Sequence, residues 1–138
     1  MIAESYKEVT ILFADIVGFT TMASNVSPSD LIYILNQIFT GWDTLCEKYH
    51  LEKIKTIGDC YMAAGGVPDR TLDHAHNVIE FANEMMQSLN KFNEESNMDL
   101  KIRIGINTGS VVAGVIGTKK FSYDLWGDAV NVSQTSSL

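Results

Sequence analysis

Ile54-Lys55-Thr56-Ile57-Gly58-Asp59-Cys60-Tyr61-Met62 is the stretch of this chain that points most directly to its fold. Apolar runs, from Leu51 to Ile57 and from Cys60 to Ala64, flank its Gly-Asp pair. A two-residue loop that begins with glycine has a twist that matches the strands of a β-hairpin. The stretch therefore predicts a hairpin with Asp59 at its tip. Aspartate is also a common turn former, so this residue alone does not indicate a site.

A second carboxylate, Asp15, ends an apolar run that predicts a first strand from Glu8 to Asp15. A loop with Gly18 and small hydroxyl residues follows. An isolated buried carboxylate is too costly, so such a residue must be hydrogen-bonded, paired or bound to a cation. Two of these carboxylates on neighbouring strands predict a site for a divalent cation.

The composition describes one globular domain over residues 1–138, with 46% hydrophobic and 20% charged residues. A net charge of -7 argues against binding to nucleic acid, which needs a basic face. The two cysteines match no zinc spacing and favour a reduced, cytoplasmic setting. No apolar run approaches the ~18 residues of a membrane span. Whether the segment is a cytoplasmic domain of a membrane protein stays open. The three histidines are interpreted as ordinary polar positions: His50, His74 and His76.

Two amphipathic helices are predicted from their apolar periods. The first begins at the cap Ser27 with Pro28 in the first helical position, and its apolar stripe is Leu31, Ile34, Leu35, Ile38, Trp42, Leu45 and Tyr49. The stripe of the second helix is Ala75, Val78, Ile79, Ala82, Met85, Met86, Leu89 and Phe92. Alternation then predicts a strand from Lys101 to Asn107.

Gly105, Gly109, Gly114 and Gly117 mark a glycine-rich region that indicates turns and close backbone approach, and a further strand is predicted near Ser110 to Ile116. The element order predicts an α+β fold, an α/β sandwich of the ferredoxin-like βαββαβ type with helices on one face of an antiparallel sheet. Because the chain stops at Leu138, soon after its last strand, we expect either that the sheet is incomplete or that the sequence is cut short.

Four segments in this order resemble the catalytic domains of the class III nucleotidyl cyclases, over nearly the whole chain. They are Phe13-Ala14-Asp15-Ile16-Val17-Gly18-Phe19-Thr20, Lys53-Ile54-Lys55-Thr56-Ile57-Gly58-Asp59-Cys60-Tyr61, Arg103-Ile104-Gly105-Ile106-Asn107-Thr108-Gly109, and Tyr123-Asp124-Leu125-Trp126-Gly127-Asp128-Ala129-Val130-Asn131. The resemblance implies that the ribose 3'-hydroxyl of a nucleoside triphosphate attacks its own α-phosphorus, which gives a 3',5'-cyclic monophosphate and pyrophosphate.

The resemblance also implies two Mg²⁺ or Mn²⁺ ions as cofactors, a choice that suits hard oxygen ligands. Asp15 and Asp59 match the metal-binding aspartates, and the Ile16 carbonyl looks like a further ligand. Arg103 matches an arginine that contacts the triphosphate. The backbone after the first strand looks like the phosphate-binding loop, and it consists of Val17, Gly18, Phe19 and Thr20.

Lys55 and Asp124 match the two positions that select the base in this family. Adenylyl cyclases carry Lys and Asp there, whereas guanylyl cyclases typically carry Glu and a smaller residue such as Cys. A lysine donates to adenine N1 and an aspartate accepts from the 6-amino group, while guanine presents the opposite pattern. The resemblance therefore predicts ATP as the substrate and cyclic AMP as the product.

Asn131 matches the catalytic asparagine that positions the ribose. Thr135 stands where the family usually has an arginine that stabilises the charge developing on the phosphate, and the family's domain continues beyond the length of this chain. Family members are dimers with shared sites, so we expect a homodimer in which one chain contributes Asp15, Asp59 and Arg103. Lys55, Asp124 and Asn131 would come from the other chain.

Thr135 and the early end also keep a second reading open, a weakly active or silent cyclase-like module that binds nucleotide or dimerises. A diguanylate cyclase does not fit, because Gly65-Gly66 is followed by Val67-Pro68 and not by that family's acidic loop sequence.

Overall fold

The computed structural model describes residues 2–19, 24–117 and 122–130. Five strands form one antiparallel sheet in the order β2-β3-β1-β4-β5. The elements in chain order are β1 (Ile2–Val17), α1 (Pro28–Lys48), β2 (Glu52–Ile57), β3 (Cys60–Gly65), α2 (His74–Ser96), β4 (Lys101–Ile116) and β5 (Ser122–Trp126). The first four strands have the predicted ferredoxin-like arrangement.

Both helices cover one face of the sheet, as predicted, and bury a core there. Trp42 of α1 and two residues of α2, Phe81 and Met85, are fully buried in this core. Alternate β1 residues Leu12, Ala14 and Ile16 reach the same core from the sheet. We call this side of the sheet the helix face.

The opposite face, which we call the inner face, has a second core to which neither α1 nor α2 contributes. It consists of Tyr6, Val9, Ile11, Phe13, Met62, Ala64, Val67, Val111, Ala113, Leu125 and Ala129. The register of β1 against β4 shifts between Tyr6 and Val9, an irregularity of the kind that bends strands. Although β2 and β5 are the opposite edges of the sheet, Lys55 of β2 contacts Asp124 of β5. The sheet therefore curls around its inner face.

The start of α1 agrees with its sequence signals. The Ser27 side chain accepts a hydrogen bond of 3.2 Å from the backbone N–H of Asp30, and Pro28 is the first helical residue. Helix α2 ends at Ser96, and the cap residue that follows, Asn97, has a left-handed backbone. In the part of the chain described here, no helix is long and apolar enough to cross a membrane.

Two predicted boundaries differ from the structure. Strand β1 begins at Ile2 instead of Glu8, because its first residues pair with the second half of β4. The glycine-rich turn expected before Ser110 is absent from the described structure, since β4 runs without interruption from Lys101 to Ile116. Gly109 instead provides a close contact, because a Cβ there would lie 3.0 Å from the Cβ of Ala129.

Candidate active site

The β2–β3 hairpin ends in the predicted two-residue turn, Gly58-Asp59. Ile57 pairs with Cys60 directly across the turn, and Gly58 has a φ of 57°, the left-handed region that glycine adopts at little cost. The carbonyl oxygen of Asp59 accepts a hydrogen bond of 3.3 Å from the N–H of Ile16. The turn is therefore tied to the end of β1, where the second predicted metal ligand lies.

Asp15 lies opposite both Cys60 of β3 and Arg103 of β4 in the strand register. One Arg103 nitrogen, Nη2, donates to Asp15 Oδ2 at 2.9 Å. Since neighbours of Asp15 in β1 point to the helix face, its own carboxylate points to the inner face, at the margin of the sheet. The ion pair is partly exposed, with 37% of the Asp15 side chain accessible.

Cys60 lies opposite Asp15 in the strand register and directly follows Asp59, and the sequence alone did not mark it as a site residue. Burial, with further contributions from the nearby charges of Asp15 and Asp59, raises the pKa of its thiol. The thiol is therefore neutral at physiological pH. Because Cys60 pairs with Asp15 and directly follows Asp59, the hairpin and the end of β1 bring these residues to the same end of the sheet.

The donor atoms at this end of the sheet fit a hard cation of the Mg²⁺ type. Asp15 and Asp59 supply carboxylate oxygens, and Ile16 supplies a carbonyl. Among the described residues, no group of three or more His, Cys, Asp or Glu side chains could hold a metal by itself. Mg²⁺ commonly binds through one or two carboxylates and completes its coordination with water and substrate phosphates. This arrangement suits an ion that arrives with a nucleotide.

Lys55 and Asp124, predicted to act together, are in direct contact. Lys55 Nζ donates to Asp124 Oδ2 at 2.8 Å, and both side chains are partly buried, at 36% and 22% exposure. The other oxygen, Asp124 Oδ1, accepts a hydrogen bond of 2.8 Å from the N–H of Leu125, which fixes the carboxylate on β5. The pair offers one donor and one acceptor side by side.

The remaining predicted site residues are divided by what the structure describes. Val17 ends β1, Gly18 follows with a φ of 88°, and Phe19 packs against the core of the helix face. Thr20, Asn131 and Thr135 lie outside the described residues. Within the described part, the structure therefore shows two groups: Asp15, Asp59 and Arg103 in one, and Lys55 with Asp124 in the other.

Sequence reasoning treated all three histidines as ordinary polar positions, and for His74 this was wrong. Its ring is buried, and its Nδ1 lies 2.6 Å from the Thr10 hydroxyl, which in turn contacts the Thr108 hydroxyl at 2.8 Å. His74 is the first residue of α2, so this network joins the helix to β1 and β4. No local signal marked it, because its partner Thr10 is 64 residues away in the chain.

Comparison with known proteins places these features in one family. The model of the adenylate and guanylate cyclase catalytic domain matches residues 1–137. An adenylate cyclase of Mycobacterium tuberculosis is 44% identical over 133 residues, which are 96% of this chain and 30% of that protein. A membrane guanylyl cyclase of Dictyostelium discoideum is 42% identical over 135 residues, 97% of this chain and 9% of that protein. The chain thus spans less than a third of either relative.

A solved structure shows the same fold over almost the entire chain. It is the catalytic core of a rhodopsin-guanylyl cyclase with converted specificity, in complex with ATPαS. Its sequence is 34% identical, the TM-score is 0.92, and the match covers 99% of this chain and 76% of that one. The ferredoxin-like prediction is therefore confirmed as the fold of class III cyclase catalytic domains.

Proposed function

Because this chain belongs to the family of adenylate and guanylate cyclase catalytic domains, we propose that it is an adenylate cyclase that converts ATP into 3',5'-cyclic AMP and pyrophosphate in intracellular signalling. In this reaction the ribose 3'-oxygen forms a bond to the α-phosphorus and loses its proton, while the bond from that phosphorus to pyrophosphate breaks. The observation that carries the choice of ATP is the contact between Lys55 and Asp124.

The family alone does not select the base, since similar proteins include cyclases of both kinds. The residue pair does discriminate. The Lys55 ammonium donates and the Asp124 carboxylate accepts, which matches the N1 acceptor and the 6-amino donor of adenine. Guanine has a donor at N1 and an acceptor at O6, so both groups would be left with the wrong partner. A polar group that is left unpaired in a partly buried site lowers affinity for the wrong base.

The carboxylates of Asp15 and Asp59, with the carbonyl of Ile16, are proposed to hold two Mg²⁺ or Mn²⁺ ions. These ions would neutralise phosphate charge and increase the acidity of the attacking hydroxyl. Arg103 is proposed to bind the triphosphate, since its guanidinium already contacts the carboxylate of Asp15. Val17, Gly18, Phe19 and Thr20 would approach the phosphates through their backbone, and Asn131 would position the ribose.

A complete site is proposed to form between two copies of this chain. Among the described residues, no hydrogen bond or ion pair links the Asp15–Arg103 group to the Lys55–Asp124 group. The ribbon of β4 and β5 beside Asp124 also exposes large apolar side chains, namely Val112, Ile116 and Trp126, each accessible by 40% or more. Val112 and Trp126 are paired across the two strands. Such an apolar strip suits an interface with a second copy.

The first experiment measures cyclic nucleotide formation with Mn²⁺ and either ATP or GTP over a wide range of protein concentrations. Cyclic AMP should be the main product, and its rate should rise faster than linearly with protein concentration below the dimer dissociation constant. A rate that stays strictly proportional to concentration through this range would contradict the shared site. A preference for GTP would contradict the base assignment.

A silent nucleotide-binding or dimerisation module is the second candidate, and Thr135 is the observation that favours it. A hydroxyl lacks the charge and the fork of the arginine usual at this position. If this candidate is correct, calorimetry will show metal-dependent ATP binding while no cyclic AMP forms at any protein concentration. Replacing Thr135 by arginine should then produce measurable turnover.

A further inference from the structure

Lys53 and Lys55 point to opposite faces of β2, although residues two apart in a regular strand share a face. Lys53 lies opposite Ala63, which belongs to the core of the helix face. Lys55 lies opposite Met62, which belongs to the core of the inner face. The register shifts between the two lysines, so Ile54 is an extra residue in this strand. This is a β-bulge, a feature that bends a strand and changes the direction of its side chains.

Lys53 is anchored on the helix face by Asp43 of α1. Its ammonium lies 3.1 Å from each oxygen of this carboxylate and 5.5 Å from the centre of the Tyr61 ring. Tyr61 is fully buried, and its hydroxyl donates to Asp43 Oδ1 at 2.6 Å. Asp43 is thus held between a buried hydroxyl and the lysine, which ties β2 to the helix.

Lys55 is held from the other side by Asp124. Two anchors on opposite faces, two residues apart, are compatible only if the strand contains the additional residue. A slip of Glu52 and Lys53 by one position would remove the bulge, because Lys53 would then lie opposite Ala64 on the inner face. The slip would break the contact with Asp43 and straighten the strand at Lys55.

We propose that Asp43, Lys53 and Tyr61 form a positioning unit, which holds the bulge at Ile54 and thereby directs Lys55 toward the nucleotide base. Its consequence for base selection rests on the proposed function, whereas its effect on Lys55 does not. The three residues act through Lys55, so they are positioning residues.

Trace acetylation of lysines, followed by mass spectrometry, tests the structural part without any need for turnover. Asp43→Asn removes the negative charge of the ion pair and Lys53→Met removes its donor, and since these side chains are 43% and 38% exposed, the fold should tolerate either change. In both variants the acetylation rate of Lys55 should rise about threefold. Loss of a partly exposed ion pair is expected to increase the population of chains with a released Lys55 by about this factor. The matched control is Glu84→Gln, which removes the partner of Lys48 at 2.7 Å and should release Lys48 alone. An unchanged Lys55 rate in both anchor variants, with Lys48 released in the control, overturns the proposal.

Kinetics test the functional part. In Lys53→Met the ratio of kcat/KM for ATP over GTP should fall about tenfold, mainly through a higher KM for ATP, as expected when a contact residue is displaced. Lys53→Arg should restore the ratio. A general loss of stability would instead lower kcat/KM for ATP and kcat/KM for GTP together and leave their ratio unchanged. If neither nucleotide turns over but Lys55 is released in both anchor variants, the positioning unit is supported while the proposed function fails. If ATP is preferred and Lys55 stays protected in both anchor variants, the proposed function is supported while the positioning unit fails.

Discussion

Replacing Lys55 by glutamate and Asp124 by cysteine in one variant should remove the preference for ATP and admit GTP. The pair is the only assigned contact with the base, and each member has a defined polarity. In the double variant, residue 55 accepts from the guanine N–H groups and residue 124 no longer repels the O6 oxygen. The expected change is therefore a shift in substrate preference and not a general loss of activity.

The magnitude follows from the two contacts that adenine would lose. A hydrogen bond to a charged group contributes roughly 1.5–3 kcal/mol. Because the two side chains remain 36% and 22% exposed, the lower end of this range applies to each. Together they amount to about 3 kcal/mol, which corresponds to a decrease of about 100-fold in kcat/KM for ATP.

The assay is the formation of cyclic AMP and cyclic GMP from equimolar ATP and GTP by the parent chain, both single variants and the double variant. In the parent chain the opposite charges of Lys55 and Asp124 lie 2.8 Å apart. Lys55→Glu alone replaces this attraction with the repulsion of two carboxylates. The single variant should therefore have a lower free energy of unfolding than the double variant. An unchanged ratio of the two products in the double variant would refute the assignment of these residues to base recognition.

Asp15→Asn and Asp59→Asn should each lower metal-dependent turnover by about 100-fold or more, since a carboxylate ligand is lost; thermal unfolding midpoints within a few degrees of the parent value would show that the fold is kept, and normal turnover would exclude these ligands. Gly109→Val should destabilise the fold by about 1–3 kcal/mol, because even a Cβ would meet a neighbouring Cβ at 3.0 Å. The control Gly41→Ala places its Cβ in an ordinary contact of 3.9 Å on a helix, so urea unfolding should show equal or higher stability. Burial raises the pKa of Cys46 to about 11, so its neutral thiol stabilises the fold below the unfolded-state pKa near 9. This contribution of up to about 2–3 kcal/mol should be lost as the pH rises from 9 toward 11, and Cys46→Ala should flatten the decline of the unfolding free energy in that range.

Local chemistry explains which elements the sequence predicted well. The hairpin turn needs a left-handed glycine followed by a residue that tolerates a turn, and the dipeptide Gly58-Asp59 provides both. The start of α1 depends on Ser27, Pro28 and Asp30, which are adjacent in the chain. Such signals are read directly because the interacting groups are separated by three residues or fewer.

The continuity of β4 shows where local signals fail. Gly109 is typical of a turn when only its neighbours in the chain are considered. In the fold it pairs with Val9 of β1 and lies against Ala129, so the missing side chain serves close packing within a strand. β4 continues through Gly109 because it pairs with β1, a partner strand of the same length. The spacing of residues within the glycine-rich region gives no information about this partner.

The sequence by itself determined the order of the elements from β1 to the start of β4, including both helices and the hairpin, and the identity of the residues assigned to the site. Only the tertiary structure decided which of them meet: Arg103 reaches Asp15 across 88 residues of chain, and Lys55 reaches Asp124 across 69. It also decided that Lys53 and Lys55 face apart, against the two-residue period of a strand. The physical reason is that periodicity and capping depend on neighbouring residues, whereas ion pairs and bulges depend on partners that only the folded sheet brings within 3 Å.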